Sequence, residues 1–339
     1  MNNVMIVHTL IASIIAFGVT YYFVKWWIKR AYELGIVGKD MNKKDKRKIP
    51  EAGGVWVSVA ASFGILLYVA FNTYTFKHYP NIDELLALAL MLFMASFLGF
   101  LDDILGWKKG LKPIYRVIMM APLAIPLVVI KAGFSTMAIP FLGRVDFGLL
   151  YPLVLVPIGI LGASNAFNMI AGYNGLEASQ GILLLGFTAL YCYMKGIGIS
   201  ISPAVIMIAA LLGFLIFNWY PAKVFPGNTL TYGLGAYYAS LIIIGNFEKF
   251  GILLFTLYFI EFLLFLRGLR HGIYKENFGR VDENGYLEPP YDRIYSLTHL
   301  AIIVQKKIRG YATEKGVVVV IMVLQIIVGI ISFLLVNIV

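Results

Sequence analysis

The long apolar runs decide what this chain can fold into. A helix needs about 20 residues to cross a bilayer, and runs near that length recur at 4–24, 54–72, 85–101, 113–130, 148–164, 176–194, 200–217, 229–245, 249–266 and 316–338. The expected fold is therefore an all-α polytopic membrane protein of about ten transmembrane helices. Composition agrees, since 60% of the 339 residues are hydrophobic and 14% charged, where soluble domains run nearer a quarter charged. Length leaves room for ten spans with modest loops, so one integral membrane domain over residues 1–339 is the expectation. The first run lacks a basic lead and passes straight into Lys25, Trp26, Trp27, Lys29 and Arg30, which reads as a retained helix with indoles at the interface.

Orientation comes from the basic residues. Segments 25–50, 102–116, 219–228 and 267–315 hold 23 of the 28 Lys and Arg, and the alternate side holds Lys77, Lys131, Arg144, Lys195 and Lys249. The rich side is expected in the cytoplasm, with both termini outside. The formal charge of +10 is thus assigned to cytoplasmic loops, and nucleic acid is not an expected partner. The single cysteine, Cys192, lies in an apolar run and allows neither an internal disulfide nor a multi-cysteine metal site.

Two regions outside the runs have character of their own. Residues 136–141 and 145–147, around Leu142-Gly143, read as a small outer-face hairpin. The cytoplasmic loop 267–315 is too long for a plain connection; it holds a turn at Asp282-Glu283-Asn284-Gly285, a break at Pro289-Pro290 and an amphipathic helix expected over 293–308.

Polar residues at membrane depth need a reason. Asp102 and Asp103 close the third run, Asn165, Asn168 and Asn174 follow the fifth, Asn218 and Asn228 flank the loop after the seventh, and Arg270 and His271 follow the ninth. All fall on the lysine-rich side, although hydropathy set the runs and charge set the side. Adjacent carboxylates repel and do not share a helix face, so Asp102-Asp103 reads as a fraying helix end serving a cation. Magnesium takes one or two carboxylates plus substrate phosphates. The plainer alternative is a stop-transfer flank balanced by Lys108 and Lys109. Asn165 and Asn168, at i and i+3, put two amides on one helix face, and Asn174-Gly175 marks a turn whose backbone can meet a ligand. Helix capping is the alternative there. Lys112 reads as a positive-inside residue or as a phosphate's counter-charge, and Arg270-His271 carries the same ambiguity. Glu177 and Glu261 read as interior hydrogen-bonding groups.

Together these residues resemble one family. Leu101-Asp102-Asp103 with Lys112, Asn165-Ala-Phe-Asn168-Met-Ile-Ala-Gly-Tyr-Asn174-Gly-Leu-Glu177, Asn218-Trp-Tyr-Pro-Ala-Lys-Val-Phe-Pro-Gly-Asn228-Thr, Arg270-His271-Gly-Ile and Ile49-Pro50-Glu51-Ala-Gly53-Gly54 look like the polyprenyl-phosphate N-acetylhexosamine-1-phosphate transferases. Within that family the pattern is similar to the dolichyl-phosphate N-acetylglucosamine-1-phosphate transferases, in an archaeal-like form.

The resemblance implies a ten-helix fold, a cytoplasmic site, a homodimer among membrane lipids and a Mg²⁺ requirement, with Mn²⁺ as an alternative. It implies transfer of GlcNAc-1-phosphate from UDP-GlcNAc to dolichyl (polyprenyl) phosphate, giving polyprenyl-diphospho-GlcNAc and UMP, the first lipid-linked step of N-glycan assembly. Asn168 and Asn228 match metal-ligand positions, Asn228 standing where the family carries the aspartate of a Gly-Asp-Thr motif. Lys112 matches a phosphate contact, Asn174 a uridine contact, and Arg270 and His271 residues near the pyrophosphate. Asp102 and Asp103 are expected to organise metal and lysine, with proton removal by one of them as the alternative, and Glu51, Asn165 and Gly175 to line the substrate. Two rivals stay open: the same transfer from another UDP-N-acetylhexosamine, and a secondary transporter, which would place its polar groups near the midplane. The short loops lean towards an archaeal plasma membrane.

Overall fold

The computed structural model describes residues 3–76, 79–105, 119–139 and 143–336. Its helices are α1 (Asn3–Leu34), α2 (Gly54–Thr75), α3 (Ile82–Ile104), a short α4 (Ile125–Val129), α5 (Val156–Met169), α6 (Leu176–Lys195), α7 (Gly198–Asn218), α8 (Gly227–Gly245), α9 (Glu248–Leu254), α10 (Thr256–Arg270), α11 (Leu297–Arg309) and α12 (Glu314–Val336). The expected run 113–130 is described from residue 119 onward, where a 3-10 turn at Ala121–Ala124 leads into the short α4; its first six residues, and Lys112, lie outside the described residues.

Among the described residues six helical segments are long and apolar enough to cross a membrane: α1, α2, α3, α5 with the turn that leads into it, α7 and α12. The α9–α10 pair, bent by 56° at Phe255, would make a seventh. α6 and α8 also stand where spans were expected, but both are more polar. For α8 the reason is its place at the centre of the bundle. Every residue from Thr229 to Gly245 is buried, and α3, α5 and α2 pack around it, so its Gly, Thr and Tyr side chains face protein. Small residues let such helices approach closely. At Gly99 in α3 a Cβ would lie 2.4 Å from the Asn228 carbonyl oxygen, so side-chain-free backbone is required where α3 crosses the start of α8.

The hairpin expected at 136–147 is present as β3 (Thr136–Ile139) against β4 (Gly143–Asp146), with Thr136 opposite Asp146. It sits at the far end of α8, where the Phe134 N–H donates to Asn246 Oδ1 (2.6 Å). Two further small ribbons lie at the opposite end: β1 (Val37–Lys39) with β2 (Lys48–Pro50), which the sequence reading did not anticipate, and β5 (Arg280–Val281) with β6 (Leu287–Glu288). The latter closes over the expected turn, whose Asp282 Oδ1 accepts from the N–H groups of Asn284 and Tyr286, both at 2.8 Å.

The amphipathic helix starts at Leu297, four residues later than expected. Ser296 caps it, its Oγ accepting from the Thr298 N–H (3.3 Å), while Arg293 is turned away to His271.

Candidate functional site

The site is built around the N-terminus of α8. The first turn of a helix leaves backbone N–H groups without intrahelical partners, and a carboxylate there satisfies them and complements the helix dipole. Asp103, at the end of α3, does this from a different helix. One oxygen accepts from the Asn228 N–H (2.7 Å), and the other from the Thr229 N–H (3.0 Å) and Thr229 Oγ1 (2.6 Å). Gly227 makes the approach possible: its φ is +70°, and a Cβ would lie 2.1 Å from Asp103 Oδ2.

A chain of amides then leads across the helices. Asn228 Nδ2 donates to Asp102 Oδ2 (2.8 Å), Asn168 Nδ2 donates to Asn228 Oδ1 (2.6 Å), and Asn168 Nδ2 also reaches Thr231 Oγ1 (2.8 Å). Asp102, Asn168 and Asn228, from three helices, are thus within hydrogen-bonding distance in series. Asn165 is not part of this chain. Its Nδ2 donates back along its own helix to the Leu161 carbonyl (2.8 Å) and contacts Met120 Sδ (3.3 Å).

The donors in the chain are hard oxygens on one carboxylate and two amides, with a hydroxyl beside them. Among the described residues no group of three or more His, Cys, Asp and Glu could hold a metal. The set therefore fits a cation such as Mg²⁺, which takes one or two carboxylates and fills its remaining positions with water and substrate phosphate, and does not fit a zinc-type cage.

The loop between α1 and α2 is laced to this corner by its backbone. The Gly53 and Gly54 N–H groups donate to the Phe225 and Pro226 carbonyls, and the Phe225 N–H to the Pro50 carbonyl (2.7 Å). Glu51 lies between them, its carbonyl accepting from Trp27 Nε1 (2.8 Å). Burial raises the Glu51 carboxyl above its ordinary range.

Asn174 belongs to a second cluster. Its backbone N–H donates to Glu314 Oε1 (3.0 Å) and its Nδ2 to Asp40 Oδ2 (3.2 Å). Lys43 pairs with both carboxylates, and its ammonium lies 4.3 Å from the centre of the Tyr220 ring. The turn before Asn174 is held by Glu177, whose Oε1 accepts from the Gly172 N–H (2.8 Å). Gly175 opens α6 at φ +86°, against the Trp219 ring. Beside this cluster a cleft of about 460 Å³, within the range of small-molecule sites, is lined by Lys43, Lys44, Lys46 and Arg280 with Phe278 and Tyr291.

Arg270 and His271 are exposed at the end of α10. His271 Nδ1 donates to the Arg267 carbonyl (2.9 Å), leaving Nε2 to accept from Arg293 Nη1 (3.0 Å). Among the described residues no hydrogen bond or ion pair joins either of them to Asp102, Asn168 or Asn228.

Sequence reasoning missed Asp40, Lys43, Glu314, Lys275 and Asn277. Glu261 gave the one usable signal, because a carboxylate inside an apolar run requires a partner. That partner is Lys275, whose ammonium burial lowers in pKa and the Glu261 carboxylate raises again.

A model of glycosyl transferase family 4 matches residues 85–246. A Saccharolobus solfataricus protein, provisionally named UDP-N-acetylglucosamine–dolichyl-phosphate N-acetylglucosaminephosphotransferase, is 35% identical over 302 residues, covering 86% of this chain and 87% of its own. One with the same provisional name from Sulfolobus acidocaldarius is 35% identical over 305 residues, 88% of each chain. A Dictyostelium discoideum protein bearing that name without the qualification is 27% identical over 271 residues, 68% of this chain and 65% of its own.

Proposed function

This chain belongs to glycosyl transferase family 4, among the polyprenyl-phosphate N-acetylhexosamine-1-phosphate transferases, and from that premise we propose that it moves GlcNAc-1-phosphate from UDP-GlcNAc to dolichyl or a related polyprenyl phosphate. A lipid phosphate oxygen attacks the sugar-linked phosphorus, the bond to the bridging oxygen breaks, and UMP leaves. The product is polyprenyl-diphospho-GlcNAc. The observation that carries the reading is the convergence of Asp102, Asn168 and Asn228 at the α8 N-terminus in a chain 35% identical to relatives named for this transfer.

Phosphoryl transfer asks mainly for positioning and for neutralisation of negative charge. Mg²⁺ held by Asp102, Asn168 and Asn228 would supply part of that neutralisation. Arg270, His271 and Lys112 are assigned to the remaining phosphate charge. Asn174 and Gly175 are assigned to the nucleoside end of the donor, and Glu51 to the wall between the two. The lipid phosphate has its second pKa near about 6, so at neutral pH it is already mostly dianionic and requires no strong base. That fits Asp103, both of whose oxygens are engaged on α8.

We place the site on the cytoplasmic side of an archaeal plasma membrane, with both termini outside and the chain working as a homodimer. The distribution of Lys and Arg supports the sidedness, and the archaeal relatives support the source. The deciding experiment incubates purified protein with Mg²⁺, polyprenyl phosphate and a panel of UDP-sugars and measures UMP release. Release with UDP-GlcNAc above all other donors is expected; release only with another UDP-hexosamine would reassign the donor, and none with any would overturn the reading.

A further inference from the structure

Resting on that reading, we infer that Lys275 and Asn277, held by Glu261, are positioning residues that fix the C-terminal end of α5, and with it Asn168 and the turn at residues 170–175, to the last cytoplasmic loop. α5 ends at Met169, one residue after Asn168. The last carbonyls of a helix lack intrahelical donors and favour a positive charge. Here they receive both: Lys275 Nζ donates to the Met169 carbonyl (3.0 Å), and Asn277 Nδ2 to the Met169 (2.8 Å) and Ala171 (2.7 Å) carbonyls.

Glu261 anchors the other side. It is fully buried, pairs with Lys275, and accepts from Ser296 Oγ (2.9 Å) and the Leu297 N–H (2.7 Å) at the start of α11. One ion pair therefore sets a carboxylate at the N-terminus of α11 and an ammonium at the C-terminus of α5, each with the sign its helix end prefers. A pair serving stability alone would be complete with Glu261 and Lys275. The reach of Lys275 and Asn277 to the carbonyls on either side of residue 170 makes it a register pin for the helix that carries Asn168. Lys275 and Asn277 also hydrogen-bond each other through Asn277 Oδ1 (2.5 Å), so the two donors act as one unit.

The test separates stability from positioning. Replacing a buried ion pair with apolar side chains of similar volume is often neutral for stability, whereas removing one partner strands a charge. Glu261→Leu and Lys275→Met singly should lower Tm, and the double variant should recover it. The double variant should still show kcat down on the order of tenfold or more, with KM for polyprenyl phosphate unchanged, because Asn168 is displaced and the lipid is not. Asn277→Leu keeps both charges of the ion pair and should show the same kcat signature, with a fall in Tm smaller than that of either single charge variant, since no charge is stranded. Hydrogen exchange at residues 168–175 should quicken in both, a readout that needs no activity. Wild-type kcat and wild-type exchange in the double variant overturn the inference, and if the double variant does not fold, the same result in Asn277→Leu does so. A wild-type enzyme that releases no UMP would sink the proposed activity and leave the exchange measurement to decide the clamp.

Discussion

Asp103 accepts the Asn228 N–H at 2.7 Å, so the carboxylate that closes α3 caps the helix that presents Asn228. Thr229 completes the cap through its N–H and hydroxyl. The geometry makes Asp103 a positioning group. In Asp103→Asn the amide NH2 would face a donor where an oxygen now accepts, which should weaken the cap by about 1–2 kcal/mol and depress turnover to the same degree at pH 6 and pH 8.5. Recovery of most activity at pH 8.5 would instead assign proton removal to this carboxylate, since a more basic medium would then replace it.

Asn228→Asp puts a second carboxylate within hydrogen-bonding distance of Asp102, where Nδ2 now donates at 2.8 Å. Without a cation the two charges repel and the variant should melt below wild type. With Mg²⁺ the added charge should lower the concentration for half activity on the order of tenfold, equivalent to about 1.4 kcal/mol. Melting curves and activity titrated with Mg²⁺ check both halves. An unchanged or higher requirement would remove Asn228 from the metal shell.

Gly227→Ala meets two obstacles at once. The backbone sits at φ +70°, which costs a residue with a Cβ about 1–2 kcal/mol, and the new Cβ would fall 2.1 Å from Asp103 Oδ2. The junction of α3 and α8 must open. Turnover should fall on the order of 100-fold, as a displacement of about 1 Å can produce, while far-ultraviolet circular dichroism stays helical. Wild-type turnover in this variant would show that the junction tolerates the shift.

The parts of this architecture written locally in the chain were legible, and the parts written across it were not. Apolar runs located helices because burial in lipid acts on each segment separately, and Asn228 stood out as an amide in an apolar neighbourhood. α8 shows where that logic weakens: protein surrounds it, so hydropathy no longer reports its depth. The i, i+3 spacing of Asn165 and Asn168 suggested a shared role, but spacing cannot show that Asn165 bonds back to Leu161. The pairing of Lys43 with Glu314, 271 residues apart, and of Asn174 with both Glu314 and Asp40, depends on how three loops meet at one end of the bundle. No local pattern encodes that.

His299 is expected to contribute to the acid sensitivity of the last loop. It is 1% exposed, and its ring is fixed as a neutral tautomer, Nε2 donating to the Glu276 carbonyl (2.9 Å) and Nδ1 facing the Tyr295 N–H (3.4 Å). Desolvation, with nearby Lys275, lowers its pKa from 6.5 to about 4. The unfolded chain therefore takes up the proton first. The stability contributed by the neutral ring is full above about pH 6.5 and is lost as the pH falls from there towards 4, up to about 3 kcal/mol at roughly 1.4 kcal/mol per pH unit. His299→Gln keeps a donor for Glu276 and cannot titrate. Its Tm should fall less than that of wild type between pH 7 and pH 4.5, and parallel curves for the two proteins would show that the acid sensitivity of the loop arises elsewhere.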